Sequence, residues 1–208
     1  MLIDFHTHAF PDRLAEKAIS KLSASGDISN FGNGTIADLL AHMDGYKVDR
    51  AVILNIATNP RQQTNVNDFA IEINTNSKCS ISQNSTKQSN TLQRLYALGS
   101  LNPDSDRIAA EAKRIADAGI RGIKIHPDYV SCAIDDPKFD AVFKACIDNN
   151  LFVVSHSGWD FISPDFIHCT PERILRVLAK FPELRFIAAH MGANRLWDET
   201  ERLLIGKN

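Results

Sequence analysis

The chain has no block of like charge, no C-x-x-C pair and no apolar stretch of membrane length. Its 23 Lys and Arg stand against 25 Asp and Glu, for a net charge of −2. The basic residues are scattered, so nothing asks for a nucleic-acid or membrane partner. The four cysteines, Cys79, Cys132, Cys146 and Cys169, show no paired spacing and read as ordinary thiols. No basic or apolar leader precedes the first motif at residue 3, which predicts a cytoplasmic protein. Two glycosylation-like triplets, Asn33-Gly34-Thr35 and Asn84-Ser85-Thr86, carry meaning only with secretion.

What the chain does have is 208 residues at 44% hydrophobic, enough for one sizeable core and too little for two ordinary domains. The expectation is a single domain over residues 1–208. Apolar and polar segments alternate along it. After a first strand, Pro11 opens a helical pattern with Leu14, Ala18 and Leu22 on one face, and Ser25 to Gly34 reads as a loop. Thr35, with Asp38 three residues on, is an N-cap for a helix ending at Gly45. A second strand is expected over Arg50–Ile56 and a short helix around Val66, Phe69, Ala70 and Ile73. Ser77–Thr91 is a polar tract that supplies no core.

From Leu95 the order becomes regular. Strands are expected at Leu95–Leu101, Arg121–His126, Leu151–His156 and Arg185–His190. Helices fall at Asp104–Ala118, Pro137–Asn149, after the Thr170-Pro171-Glu172 cap, and around Arg195–Leu204. Runs such as Leu151-Phe152-Val153-Val154 are apolar on both faces, as strands of a helix-covered parallel sheet must be. The pattern makes six strand-plus-helix units of an α/β fold.

The chemistry-bearing residues sit at strand ends. The first strand runs Asp4-Phe5-His6-Thr7-His8. Alternate side chains of a strand share a face, so His6 and His8 point the same way and two imidazoles can close on one metal ion. Three later strands also finish in histidine: Ile125-His126-Pro127, Ser155-His156-Ser157 and Ala189-His190-Met191. In a parallel barrel every strand's C-terminal end opens on one rim, which predicts that His6, His8, His156 and His190 meet. A single such histidine is more often a satisfied core or capping residue. Recurrence at equivalent strand ends is what favours a site.

Through Asp4-Phe5-His6-Thr7-His8, Gly122-Ile123-Lys124-Ile125-His126-Pro127, His168-Cys169-Thr170-Pro171-Glu172-Arg173 and Ala189-His190-Met191-Gly192, the whole chain resembles the amidohydrolase superfamily. The branch is that of aminocarboxymuconate-semialdehyde decarboxylase and its relatives. The resemblance implies a (β/α)8 TIM-barrel, metal-dependent hydrolase fold with one divalent metal, zinc first and manganese second. It implies His6, His8 and His156 as metal ligands and His190 as the histidine that helps activate the bound water. The family's last ligand and proton acceptor is an aspartate ending strand eight, and the units here stop after the sixth. Asp198, in a helix, and Asp160, in a loop, do not match that motif. Open sheet edges in a shortened barrel are a template for aggregation or for pairing with another chain, so a shortened form is expected to be less stable or a homo-oligomer.

Other residues carry weaker expectations. Lys124 shares a strand face with His126, and a lysine there is read as the partner of a substrate carboxylate in preference to a carbamylated metal bridge. His126 reads equally as a substrate contact or a strand end, and Trp159, with Asp160 and Phe161, as part of a substrate pocket or as loop packing. His168 reads as facing the site or, in slight preference, as capping the helix, and His42 as structural or exposed. Cys169 has no paired base and is not read as a nucleophile.

Three functions follow. The leading one is metal-assisted hydrolysis of a small anionic substrate. The second is non-oxidative decarboxylation of an unsaturated or aromatic acid on the same metal cradle. The third is metal binding without turnover.

Overall fold

The computed structural model describes residues 1–26, 29–79 and 94–206. The chain packs as two compact units, Met1–Asn55 with Asn67–Gly99, and Ile56–Val66 with Ser100–Asn208.

The first unit is built on a parallel sheet in the order β1 (Ile3–Thr7), β2 (Arg50–Ile53) and β3 (Leu95–Ala97). Between β1 and β2 the register runs Ile3↔Arg50, Asp4↔Ala51 and then Thr7↔Ile53, so β1 carries a bulge at Phe5-His6. Bulges re-aim side chains near strand ends, and this one includes His6. The Thr7 hydroxyl donates to Val52 O at 2.9 Å, and Asn55 Nδ2 donates to Ala9 O at 2.7 Å. These bonds tie the chain after β1 to the chain after β2. Helix α1 (Asp12–Gly26) buries Ala15 while Leu14 is exposed, so its inner face lies one position on from the expected Leu14 stripe. Helix α2 (Ile36–Gly45) starts at the expected cap, with Thr35 Oγ1 accepting the Asp38 N–H at 3.1 Å. The third helix, α3 (Gln63–Cys79), is 17 residues long. It follows a 3₁₀ turn, Pro60–Gln62, capped by Asn59, and its residues up to Val66 belong to the second unit. From residue 80, the polar tract expected over Ser77–Thr91 lies outside the described residues.

The second unit is organised on a parallel sheet in the order β4 (Gly122–Ile125), β5 (Phe152–Ser155) and β6 (Phe186–Ala188). All of β4 and all but the first residue of β5 are buried, as strands covered on both faces should be. Around them lie α4 (Ile108–Asp117), α5 (Asp140–Asp148), α6 (Pro171–Lys180) and α7 (Trp197–Leu203). The core of this unit holds Ile115, Ile123, Phe139, Val142, Phe143, Val153 and Ile174, each at most 1% exposed. Each large side chain of this kind contributes about 1.5–3 kcal/mol by leaving water. Thr170 caps α6 as expected, its hydroxyl oxygen accepting the Arg173 N–H at 3.3 Å.

Several expected strands are shorter than their apolar runs. The strand expected over Leu95–Leu101 ends at Ala97. Beyond it Ser100 donates to Lys124 O at 2.8 Å, and Asn102 Nδ2 donates to Ala57 O at 3.0 Å. These bonds lock the chain into a bend within the second unit. β4, β5 and β6 also stop short of the expected histidines, at Ile125, Ser155 and Ala188.

Candidate metal centre

Register decides which histidines become neighbours. Lys124 pairs with Val154 and Ile125 with Ser155 across β4 and β5. Ser155 pairs with Ala188 across β5 and β6. The ladder continues one step past the strands, since His156 N–H donates to Ile125 O and Ala189 N–H to Ser155 O. His126 and His156 therefore emerge side by side, level with Ala189, and His190 follows one residue later in a left-handed turn that carries its ring to His156. The His126 and His156 rings stack with centroids 4.0 Å apart and planes 13° apart. Those of His156 and His190 meet edge-on at 4.6 Å.

A carboxylate completes the group. Asp160 is held in the loop after β5 by its own backbone turn, Oδ1 accepting the Ile162 N–H at 2.9 Å. Its Oδ2 lies 3.5 Å from His126 Nε2 and 3.5 Å from His156 Nε2. One donor atom from each of His126, His156 and Asp160 falls within 4.8 Å of the others, and all three residues are buried. Bonds of about 2.1 Å to a tetrahedral ion put its ligands ~3.4 Å apart, so the Nε2–Oδ2 spacings have the right size. Among the described residues, His156 Nε2 is buried with no hydrogen-bond partner. A buried imidazole nitrogen left so is costly unless something fills its lone pair. Donor types, spacing and the orphaned nitrogen together fit a divalent cation.

Electrostatics keep the ligands ready. Burial, then repulsion from His126 and His190, lowers the His156 pKa to about 3, so its ring is neutral and its lone pair available. His190 is lowered too, by burial first and then by the Lys124 and His126 charges. Burial works to raise Asp160, but hydrogen bonding from His126 and the Ile162 N–H outweighs it and the carboxyl ends below its ordinary range. A neutral His156 beside an ionised carboxylate suits a cation.

The loops that carry these groups are laced together. Trp159 N–H donates to Asn194 O at 2.9 Å and Asn194 N–H to Ser157 O at 2.9 Å, around a bridge between Gly158 and Asn194. His190 and Met191 take left-handed φ of 60° and 56°, followed by Gly192 at 100°. Such backbone is sparsely populated for side-chain-bearing residues and persists where surroundings over-determine it. Trp197 Nε1 donates to His190 O at 3.1 Å and helps hold that turn.

Of the residues expected from sequence, His126, His156, His190 and Lys124 all lie in the second unit. Lys124 is 1% exposed, and its ammonium has no hydrogen-bond partner among the described residues. Burial first, partly offset by Cys169, brings its pKa down to about 8. Trp159 is half-buried, its Nε1 donating to Pro164 O at 3.2 Å and the Arg195 guanidinium lying 3.6 Å over its ring. His6 and His8 stand at the end of β1 in the first unit, with ring centroids 5.5 Å apart. His168 is not the helix cap that was expected. Thr170 caps α6, while His168 is buried with Nδ1 3.0 Å from Asp128 Oδ1. His42 lies on α2 in the first unit, 45% exposed and 3.8 Å from Asp38.

The sequence does not single out Asp128, and Asp160 reads there only as pocket or loop packing. Asp160 follows His156 by four residues and Asp128 follows His126 by two, spacings that only the observed loops turn into contacts.

The amidohydrolase family model matches residues 3–208. No curated protein matches the chain. Among solved structures, the chain is similar to a TIM-barrel protein of Bordetella bronchiseptica, at 16% identity and TM-score 0.65, over 97% of this chain and 72% of that one. It is similar to a 5-carboxyvanillate decarboxylase of Novosphingobium aromaticivorans, complexed with manganese and a nitrobenzoic acid. There the identity is 18% and the TM-score 0.58, over 92% of this chain and 65% of that one. A third likeness is to a probable 2-pyrone-4,6-dicarboxylic acid hydrolase of Acinetobacter baumannii with citric acid bound. It stands at 14% identity and TM-score 0.56, over 98% of this chain and 66% of that one. These likenesses are of fold, and the fold is of the (β/α)8 TIM-barrel type.

Proposed function

The chain belongs to the amidohydrolase family, and from that premise we propose that it is a metal-dependent enzyme acting on a small anionic substrate. Hydrolysis is the first reading. The observation that carries it is the buried, unpartnered His156 Nε2 facing the Asp160 carboxylate at 3.5 Å, with His126 beside it.

In this reading His126, His156 and Asp160 hold the ion. The family resemblance adds His6 and His8 to the proposed ligands. Imidazole and carboxylate donors suit zinc and manganese alike. The bound ion supplies Lewis acidity and water activation. The chain's own groups do the rest. His190, bonded to His156 at 2.9 Å, is the proposed proton-handling residue. Lys124, a buried cation without a protein partner among the described residues, is the proposed seat of a substrate carboxylate. Leaving a buried ammonium unpaired costs several kcal/mol, and an anionic ligand would offset that cost. Trp159 is the proposed wall of the substrate pocket.

Decarboxylation is the second reading, supported by the fold likeness to a decarboxylase that holds manganese and an aromatic acid. The two are separated by product. Elemental analysis of the purified chain and of His156→Ala comes first, followed by an anionic substrate panel scored for carbon dioxide release and for hydrolysis. About one metal ion per chain, lost in the variant, with turnover of either kind, supports an enzyme. A folded chain without metal sinks the proposal, and metal without turnover leaves a binding protein.

A further inference from the structure

Beyond the three donors lies a second contact that the site leaves half-made. Asp128 is buried, with a side chain fully shielded from solvent. Its Oδ1 is clamped, receiving the Ser163 hydroxyl and lying 3.0 Å from His168 Nδ1. Its Oδ2 faces His126 Nδ1 at 3.4 Å, yet neither atom has a hydrogen-bond partner among the described residues. Two buried polar atoms that face each other unbonded each carry a desolvation penalty of about 1–3 kcal/mol. A structural role for Asp128, such as capping a turn, would not leave one oxygen unsatisfied opposite a matching donor.

The same ring has a second misfit. His126 and His156 stack with planes only 13° apart, so their in-plane lone pairs run nearly parallel. An ion lies in the plane of each imidazole that holds it. For both rings to hold one ion, one of them has to turn. His156 is fixed by its 2.9 Å contact with His190. The His126 ring meets that of Tyr129 at 68°, 4.5 Å between centroids, and rotation about its terminal torsion is soft.

We propose that Asp128 is the positioning residue for His126: loading of the centre turns the His126 ring out of the stack, closing Nδ1–H onto Asp128 Oδ2 as Nε2 converges with His156 Nε2 and Asp160. One rotation then satisfies both orphaned atoms and breaks the parallel alignment. Ser163 and His168 act one step further out, holding Oδ1 so that Oδ2 stays aimed at the ring. A carboxylate on the far nitrogen of a ligand histidine also fixes the tautomer that leaves Nε2 free to bind. This inference rests on the metal reading above.

The test uses the full chain with 15N-labelled histidines, titrated with zinc against a competing chelator, for wild type, His156→Ala, Asp128→Asn and Ser163→Ala. In the wild type, zinc is expected to lock His126 as the Nδ1–H tautomer in long-range 15N–1H spectra. Asp128→Asn should bind zinc about 10–100-fold more weakly and lose that single tautomer, and Ser163→Ala should show a smaller loss in the same direction. Unchanged affinity in Asp128→Asn with the Nδ1–H tautomer retained overturns the inference and leaves the metal reading standing. Should Asp128→Asn fail to fold, Ser163→Ala decides alone, and unchanged affinity there overturns it too. A folded wild-type chain that takes up no more zinc than His156→Ala overturns the metal reading and this inference with it.

Discussion

His190 Nε2 lies 2.9 Å from His156 Nδ1, so the histidine after β6 grips the histidine after β5 by its far nitrogen. A cation held at His156 Nε2 would leave the ring proton on Nδ1, where it would donate to His190. Replacing His190 by Ala should therefore weaken metal binding by about 10–100-fold, while His190→Gln, which keeps an acceptor, should recover part of it. Chelator competition measures both. Equal affinity in wild type and His190→Ala would show that the contact does not orient the ligand.

The ligand set is open to dissection by metal content. His126→Ala and Asp160→Ala should each lower occupancy at micromolar metal, because each removes one donor from the buried group and strands the others. His6→Ala and His8→Ala are expected to do the same on the strength of the family resemblance. Full occupancy in either of the last two removes that residue from the ligands.

Lys124 predicts opposite effects on stability and binding. Its ammonium is buried without a partner among the described residues, and Met fills a similar volume without the charge. Lys124→Met should raise the unfolding free energy by roughly 1–3 kcal/mol and weaken carboxylate ligands tenfold or more. Urea unfolding reads the first effect and calorimetry with benzoate-type anions the second. A destabilised variant would mean that the amine has a structural partner.

Gly158 stands where no side chain fits. A Cβ there would come within 2.0 Å of Asn194 N and 2.3 Å of Asn194 O, at a φ of +89°. Gly158→Ala should cost about 2–4 kcal/mol and loosen the loop bridge that carries Asp160 and the His190 turn. Thermal melts and metal affinity should fall together. A variant as stable as the wild type would show that the two loops separate without cost.

Acid should expose one ion-pair cluster. Asp135 accepts from Arg173 at 2.6 Å and Arg176 at 2.7 Å. Burial works to raise its pKa, but the hydrogen bonds from Arg176 and Arg173 outweigh it and hold the carboxyl below its ordinary 3.8. A carboxyl lowered in the folded state stabilises above its unfolded pKa, and that contribution disappears as pH falls through the lowered value. Arg176 is largely exposed, which limits the cluster to about 1 kcal/mol. Asp135→Asn should lower stability by that amount at neutral pH and match the wild type at the acid end. A constant gap across the titration would assign the effect to something other than charge.

Much of the fold was legible because periodicity reports burial. The alternation after Leu95, the Thr35 and Thr170 caps, and the apolar runs of β4 and β5 follow from local physics and reappear in the structure. Boundaries were less legible. Ser100 and Asn102 end β3's segment through side-chain bonds to residues 24 and 45 positions away, and no window of neighbouring residues carries that information. Leu14 misled for a related reason. A helix stripe has a period, but which position of it faces inward depends on what it packs against.

The sequence by itself determined that histidines end several strands, that those strands are buried and parallel in type, and that the chain is an amidohydrolase relative. Strand ends are local features, set by where apolar runs stop. Only the tertiary structure decided which of those ends touch: the β4–β5 register sets His126 beside His156, and the left-handed turn after β6 brings His190 onto His156. It also chose the carboxylates. Asp160 and Asp128 sit in loops whose paths follow no repeat, so their place beside the imidazoles is a product of chain packing, and no spacing rule could have announced it.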